Sequence, residues 1–307
     1  MKNNKITKII FLFLTLLVSL YYTYEEDIQD FFTKEVRKRE VKEVINLEDK
    51  NKFKIYFIDV GEADATLIFS NGEYALVDAG NNRDGEKLVT YFNSLGITNI
   101  KYLIATHIHE DHIGGMDNII RSFNIENYLT TEEENKTRTF TEIGKCLNEK
   151  GISSIVPKEG DNYPLGDTNL EVLSISKNEE DLNDTSIVLK LTYKNTSYLL
   201  MADASKNIEL KLLDKDIRSD LLKVGHHGSR DSTSAQFLRR VNPEYAVISV
   251  GKNNDYGHPH SITLNKLERI DTKVYRTDLL GTIIVSSDGT NLFFENLITD
   301  TDGNKKD

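Results

Sequence analysis

The stretch LIATHIHEDHIGG, residues 103–115, runs an apolar strand straight into a cluster of metal-ligand side chains. The apolar part ends at Thr106, and His107, His109, Asp111 and His112 follow within six residues, ahead of Gly114 and Gly115. Side chains on an extended segment alternate in direction, so His107 and His109 share a side and can grip one metal ion together. Asp111 and His112 come as the chain turns into a helix and can face a second ion beside the first. Neutral imidazole and carboxylate suit Zn2+, Mn2+ or Fe2+. Cys146 sits far off in a predicted helix and is not expected to bind. A histidine-rich surface loop is the bland alternative, and it gives no reason to interleave ligand-type side chains at the end of a buried strand.

Outward from this cluster, all seven histidines lie between 107 and 260. The 307 residues suffice for one large domain or two ordinary ones, with a sizeable core. Forty-nine acidic against 38 basic residues leave a net charge of −11, which excludes a protein that coats duplex DNA by bulk positive charge but not a local basic groove. One cysteine excludes an intramolecular disulfide framework and a cysteine-cluster zinc site. From Phe53 onward, short apolar strands alternate with helical stretches. The strands are FKIYFIDV, ATLIFS, YALVDA, KYLIAT, ENYLTT, SIVLKLTY, SYLLMAD, DLLKVG, YAVISV, KVYRT and GTIIVSS. Helices are predicted near 85–95, 113–122, 139–150, 205–213, 233–241 and 261–270. The pattern reads as two halves, each opening on hairpin-like strands, with a turn-rich acidic break at 160–185. Strands alternating with helices give an α/β class.

The amino terminus is of another kind. Lys2, Lys5 and Lys8 precede or enter an uncharged apolar run, and Ile6–Tyr22 would make about 25 Å of helix, near the length of a membrane span. Tyr21, Tyr22 and Tyr24 suit a membrane interface, and Glu25, Glu26 and Asp27 follow. An uncleaved single-pass anchor with everything after it outside the cell is the reading; a cleaved signal peptide is the alternative. Residues 25–50 are rich in charge, without Gly or Pro, and read as a solvated stalk. The expected organisation is therefore an anchor at 1–24, a stalk at 25–50 and one α/β domain at 51–307.

HIHEDH resembles the H-x-H-x-D-H signature of the metallo-β-lactamase fold, an αββα sandwich carrying two metals at one edge. FIDVGEADATLI, LVDAG, NDTSIVLKLTY, YLLMADAS, DLLKVGHHGSRDSTS, YAVISVGKNNDYGHPH and YRTDLLGTIIVSSDG are similar to the metallo-hydrolase domain of ComEC-type competence proteins, over about 53–290. The resemblance implies two divalent ions, Zn2+ or Mn2+. It assigns His107 and His109 to the first metal, Asp111 and His112 to the second, and Asp203 to the bridge between them. The last histidine ligand comes from the HHGS turn: His227, directly before Gly228, is the choice, with His226 left to touch phosphate, and the reverse order stays open. No histidine lies between 113 and 225, so Asn183 or Asp184 falls where many members carry another ligand, which tilts selectivity toward Mn2+. Where the family usually reads GQGDA this chain has Gly61-Glu62-Ala63-Asp64-Ala65; Asp64 is kept as an additional ligand or supporting carboxylate.

Around HHGS, Lys223, Ser229, Arg230, Ser232 and Ser234 make a phosphate-friendly mixture, and Lys252, Tyr256, His258 and His260 come from the next strand-end loop. Asp111, His226 and His258 are the expected catalytic side chains, His258 as the acid for an alkoxide leaving group. Ser229, Arg230, Lys252, Tyr256 and His260 are expected to contact substrate. The resemblance implies an exported phosphodiesterase acting on DNA, with an anionic phosphodiester as partner and the membrane met through the amino-terminal helix. A cell-envelope phosphodiesterase, like a phosphorylcholine esterase of teichoic acids, is the second expectation. A catalytically silent binding module is the third.

Overall fold

The computed structural model describes residues 52–177 and 179–297. The expected membrane segment and the stalk lie outside the described residues. Among the described residues no helix is long and apolar enough to cross a membrane.

Strict alternation decides the first strand: Phe53, Ile55 and Phe57 are fully buried while Lys54 and Tyr56 between them are not. In chain order the elements are β1 (Phe53–Phe57), β2 (Thr66–Ser70), β3 (Glu73–Val77), α1 (Gly85–Ser94), β4 (Asn99–Ile104), α2 (Glu110–Ile113), α3 (Met116–Ser122), β5 (Asn124–Leu129), α4 (Arg138–Lys150) and β6 (Ser154–Ile155). There follow β7 (Asn162–Leu165), β8 (Thr168–Ser174), β9 (Val188–Tyr193), β10 (Thr196–Leu200), α5 (Lys206–Leu212), β11 (Leu221–Lys223), α6 (Ala235–Val241), β12 (Tyr245–Ile248), α7 (Ser261–Glu268), β13 (Lys273–Arg276), α8 (Thr277–Leu280), β14 (Thr282–Ser287) and β15 (Leu292–Leu297).

One sheet has the order β15-β14-β1-β2-β3-β4-β5-β6 and the other β13-β12-β11-β10-β9-β8-β7. Between them lies a core of Phe53, Ile55, Ile68, Leu189, Tyr198, Leu221 and Val247, drawn from both sheets. Leu88, Phe92, Ile119 and Leu147 cover the outer face of the first sheet, and Ile208, Phe237, Leu238 and Leu267 that of the second. This is the αββα sandwich. It also explains the unbroken apolar run of β4: Leu103 faces the helices while Tyr102 and Ile104 face the other sheet.

All eleven expected strands are present. Four more, β6, β7, β8 and β15, were not expected. The stretch at 160–185 is not a bare break: it holds the β7–β8 hairpin and a 3-10 turn at Leu182–Thr185. Nor is the chain two successive halves. After β13 it returns to the first sheet, where β14 pairs with β1 through Ile55 and Val285. The helix expected from 113 is two short ones that begin at Glu110, with His109 as the cap residue.

β3, β4 and β5 run parallel in one sheet and β10 to β13 in the other. Ligand sites of such sheets form beyond the carboxyl ends of the strands. Here the ends of β4, β10 and β11 lead directly into His107, Asp203 and His226-His227.

Gly114 lets α2 lie against the β3–α1 loop, since a Cβ there would run into the backbone of Asn81 and Asn82. Gly114→Ala is expected to lose about 2–3 kcal/mol, the scale of overpacking, read by urea denaturation. A loss below about 0.5 kcal/mol, the size of a neutral surface change, would show that the loop yields freely.

Candidate metal centre

The centre starts from Asp78, at the end of β3, where a non-glycine residue is held at φ 60°. Its Oδ1 accepts the Thr106 N–H at 2.9 Å, and its Oδ2 accepts the Thr106 hydroxyl at 2.8 Å. Oδ2 also lies 2.8 Å from His112 Nδ1. Asp78 therefore fixes the imidazole so that Nε2 is the nitrogen left to bind. A carboxylate in this outer position is the usual way of orienting a histidine ligand.

His112 Nε2 lies 3.4 Å from Asp203 Oδ2 and 3.7 Å from Asp111 Oδ2. His227 Nε2 stands 3.3 Å from Asp111 Oδ2 and 3.7 Å from Asp203 Oδ2. Its other nitrogen, Nδ1, donates to the Ser249 carbonyl at 3.0 Å. Ligand atoms of Asp111, His112, Asp203 and His227 all fall within 4.8 Å of one another. His107 and His109 stand alongside, Nε2 to Nδ1 at 3.0 Å, and the His107 ring centroid is 4.0 Å from that of His112. Among the described residues, His112 Nε2 and Asp203 Oδ1 are buried without a hydrogen-bond partner. Unpaired buried groups of this kind are costly unless something meets them. A nitrogen and a carboxylate aimed into one space fit a divalent cation.

The structure places His227 inside this group, with a side chain only 2% exposed, while His226 is 29% exposed with Nε2 3.7 Å from Asp203 Oδ2. The two separate by a turn and not by strand alternation, since both lie at positive φ, 50° and 52°. Gly228 follows at φ 85°, where a Cβ would strike Pro259.

Asp64 lies beneath the centre. Lys223 Nζ meets its Oδ2 at 2.5 Å, both side chains buried, and its Oδ1 is 3.6 Å from His227 Nδ1. With that cation already on it, Asp64 supports the cluster. Lys223, expected near phosphate, serves this ion pair instead.

The serines of the same turn also brace the local fold. Ser232 Oγ donates to the Gly225 carbonyl at 2.7 Å, Ser234 Oγ caps α6 by accepting from Phe237 N–H, and the buried Ser229 Oγ accepts from Asp231 N–H. Arg230, Lys252 and Tyr256 are exposed on the rim, and His260 Nδ1 accepts the Arg230 N–H at 3.0 Å. His258 Nδ1 is 2.8 Å from Glu62 Oε1. Asn183 sits in the 3-10 turn with its carboxamide oxygen buried and without a partner among the described residues. Asp184 instead accepts from Ser205 N–H and Asn207 Nδ2, bracing the chain just past Asp203. Asp78 was missed from the sequence. The signal was there: an apolar strand ending in Asp, as in the strand before Asp203.

The electrostatics follow from burial. Desolvation alone would lower His112, but Asp203, Asp78 and Asp111 outweigh it and raise the imidazole well above its ordinary value. His227 is pushed up to about 9 in the same way: burial opposes, and Asp203, Asp111 and Asp64 win. Burial would raise Asp203 and Asp111, yet the neighbouring histidines hold both carboxyls below the usual range. His107, dominated by burial and with His112 beside it, is held well below its ordinary value. Without metal, protons on His112 and His227 balance the carboxylates.

The Metallo-beta-lactamase superfamily model matches residues 58–252. The chain belongs to that superfamily. It is 30% identical over 247 residues to ComE operon protein 3 of Bacillus subtilis, covering 74% of this chain and 32% of that protein. Recombination protein 2 of Haemophilus influenzae is 29% identical, covering 77% of this chain and 29% of its own length. The chain thus spans about a third of the length of the curated relatives it matches. Among solved structures, the metallo-beta-lactamase fold protein YhfI of Bacillus subtilis aligns with a TM-score of 0.53 at 10% identity, covering 79% of this chain and all of that one. CmlA, a diiron beta-hydroxylase of Streptomyces venezuelae, aligns at 0.52 and 13% identity over 80% of this chain and 54% of its own. These last two establish the fold alone. With its donor set and its similarity to competence proteins, the chain is a metal-dependent hydrolase of the metallo-β-lactamase fold.

Two outcomes follow from the geometry. His227→Ala should lose metal as well as turnover, whereas His226→Ala should keep its metal and lose mainly rate, by emission spectrometry of the purified variants. Metal lost from the second and kept in the first would reverse the two roles.

Metal binding should also release protons. His227, at about 9, and His112 are protonated at neutral pH in the metal-free protein, and ligation needs the neutral imidazole. Affinity for Zn2+ should therefore rise with pH through the range up to about 9 and weaken below it. Calorimetry in buffers of different ionisation heat counts the protons; none released near neutrality would mean neutral imidazoles.

Proposed function

We propose that the domain is a binuclear phosphodiesterase that cuts DNA, held outside the cell by the apolar segment Ile6–Tyr22. The observation that carries the reading is the rim beside the ligand cluster: Arg230 and Lys252 are exposed, and Tyr256 is 70% exposed with its ring stacked on His258 at 5.6 Å between centroids. Local cations on a protein of net charge −11 suit an anionic chain, and a free aromatic face suits a base. The similarity to ComE operon protein 3 and to competence protein ComA over three quarters of the chain supports the reading.

His107 and His109 would hold one ion, with Asp111, His112 and His227 at the other and Asp203 between them. Divalent metal held by these residues would supply Lewis acidity toward water at neutral pH and would offset phosphate charge. The protein's own side chains do the rest. Asp111, half-buried and kept ionised by His112 and His227, accepts a hydrogen bond from the attacking water and orients it. His226, at the mouth, faces a non-bridging phosphate oxygen. His258 supplies a proton to the leaving oxygen. Zn2+ or Mn2+ both suit a donor set of four imidazoles and two carboxylates.

Supercoiled plasmid and single-stranded DNA should be cleaved by the Mn2+- or Zn2+-loaded protein, with phosphorylcholine and glycerol phosphodiesters hydrolysed far more slowly. The reverse order would make the enzyme a cell-envelope phosphodiesterase, and no turnover with full metal content would make it a binding module. Tyr256→Ala should weaken single-strand binding by about 5–100-fold, the scale of one lost base stack, read by fluorescence anisotropy.

A further inference from the structure

Both oxygens of the Glu62 carboxylate are taken by donors. Oε2 accepts the Gly251 N–H at 2.7 Å, and Oε1 is 2.8 Å from His258 Nδ1. The two side chains are 14% and 7% exposed, so water competes little for either bond. Asn254 staples the same loop: its Oδ1 accepts the His258 N–H at 2.9 Å, and its Nδ2 donates to the Gly251 and His258 carbonyls at 3.0 and 2.6 Å. The His258 ring then stands 5.6 Å from His226 and 6.2 Å from His227, centroid to centroid, at the edge of the ligand cluster.

We propose that Glu62 is a positioning residue that fixes the tautomer of His258 and thereby makes Nε2 the atom that protonates the leaving oxygen. The inference rests on the phosphodiesterase reading above for its chemistry, but its geometry does not. A carboxylate only accepts, so His258 Nδ1 must carry the hydrogen it shares with Oε1. That leaves Nε2, on a ring whose centroid is 5.6 Å from that of His226, as the nitrogen that gains and gives the working proton. In the hydrolysis, water oxygen bonds to phosphorus and the P–O bond to the leaving alcohol breaks with its electron pair. The Nε2 proton moves to that alkoxide oxygen, and the proton lost by water later restores the imidazolium.

The bonding demands one discriminating substitution. In Glu62→Gln the carboxamide oxygen can meet the Gly251 N–H, but its NH2 then faces His258 Nδ1, which accepts only if the hydrogen moves to Nε2. Nitrogen-15 spectra of histidine-labelled, Zn2+-loaded protein should therefore show neutral His258 as the Nδ1–H form in the wild type and as the Nε2–H form in Glu62→Gln. Glu62→Asp keeps an acceptor-only group and should keep the Nδ1–H form. A leaving-group series completes the test. For alkyl phosphodiesters Glu62→Gln should lower kcat by about 10–100-fold with KM changed less than about threefold, the scale of an outer-residue loss. For a bis(p-nitrophenyl) phosphodiester, whose leaving group needs no acid, the loss should be below about threefold, since acid catalysis is then worth little. An unchanged tautomer in Glu62→Gln, or an altered one in Glu62→Asp, overturns the proposal, as does an equal loss for both leaving groups. If no phosphodiester is hydrolysed even by the wild type, the phosphodiesterase reading fails, and the spectra alone still decide what Glu62 does to His258.

Discussion

Four carboxylates, Asp64, Asp78, Asp111 and Asp203, crowd one end of the sandwich, and three of them are shut away from water. Charge of one sign in a dry place must be met or it neutralises itself. Lys223 meets Asp64, while Thr106 and His112 meet Asp78. That leaves Asp111 and Asp203 facing only imidazoles. The arrangement is stable with protons on His112 and His227, and equally with cations in their place. The inner ion pair of Lys223 and Asp64 is not an ornament of stability. Its loss on one side would strand a buried charge beside the ligands, typically about 3–5 kcal/mol.

The ligands reach this place because strands end there and the chain then turns in ways that side chains seldom allow. Asp78, Ala202, His226 and His227 all sit at positive φ, between 48° and 60°. Each such residue costs on the order of 1–3 kcal/mol. The cost is carried by the packed layers on either side: Met201 and Ala204 around Ala202, and Ile248 with Pro259 around the HHGS turn. Rigid strands thus hold strained turns, and strained turns hold the ligands.

This division explains what was legible beforehand. HIHEDH could be read as a candidate metal cluster because its side chains are adjacent in sequence, and Asp111 and His112 do join Asp203 and His227 in one group. Asp203 could be read as a charge at the end of an apolar strand. Lys223 and the serines 229, 232 and 234 could not be placed, because residue type says nothing of partners. A buried lysine looks like a phosphate contact until the carboxylate 159 residues away is seen against it. The β7–β8 hairpin hid in an acidic, turn-rich stretch, and the return of β14 to the first sheet depends on pairing across the whole chain. Tertiary register leaves no local trace. The membrane segment, read on hydropathy alone, lies outside the described residues.

The loop from Ile58 to Asp64 joins the two ends of the site. Asp64 stands under the ligands, with its N–H on the Asp111 carbonyl at 3.0 Å and its own carbonyl taking the Gly80 N–H at 2.8 Å. Two residues earlier Glu62 holds Gly251 and His258. Between them Ala63 is fully buried in the core beneath the helices, so its methyl fills space that a glycine would leave open. Gly251 in turn has no room for a Cβ against the Glu62 backbone. One short loop therefore ties the ligand cluster, through Lys223, to the substrate rim, through His258. Neither can shift without pulling on the other, because Glu62 and Asp64 are two residues apart and each is bonded to a different side of the site.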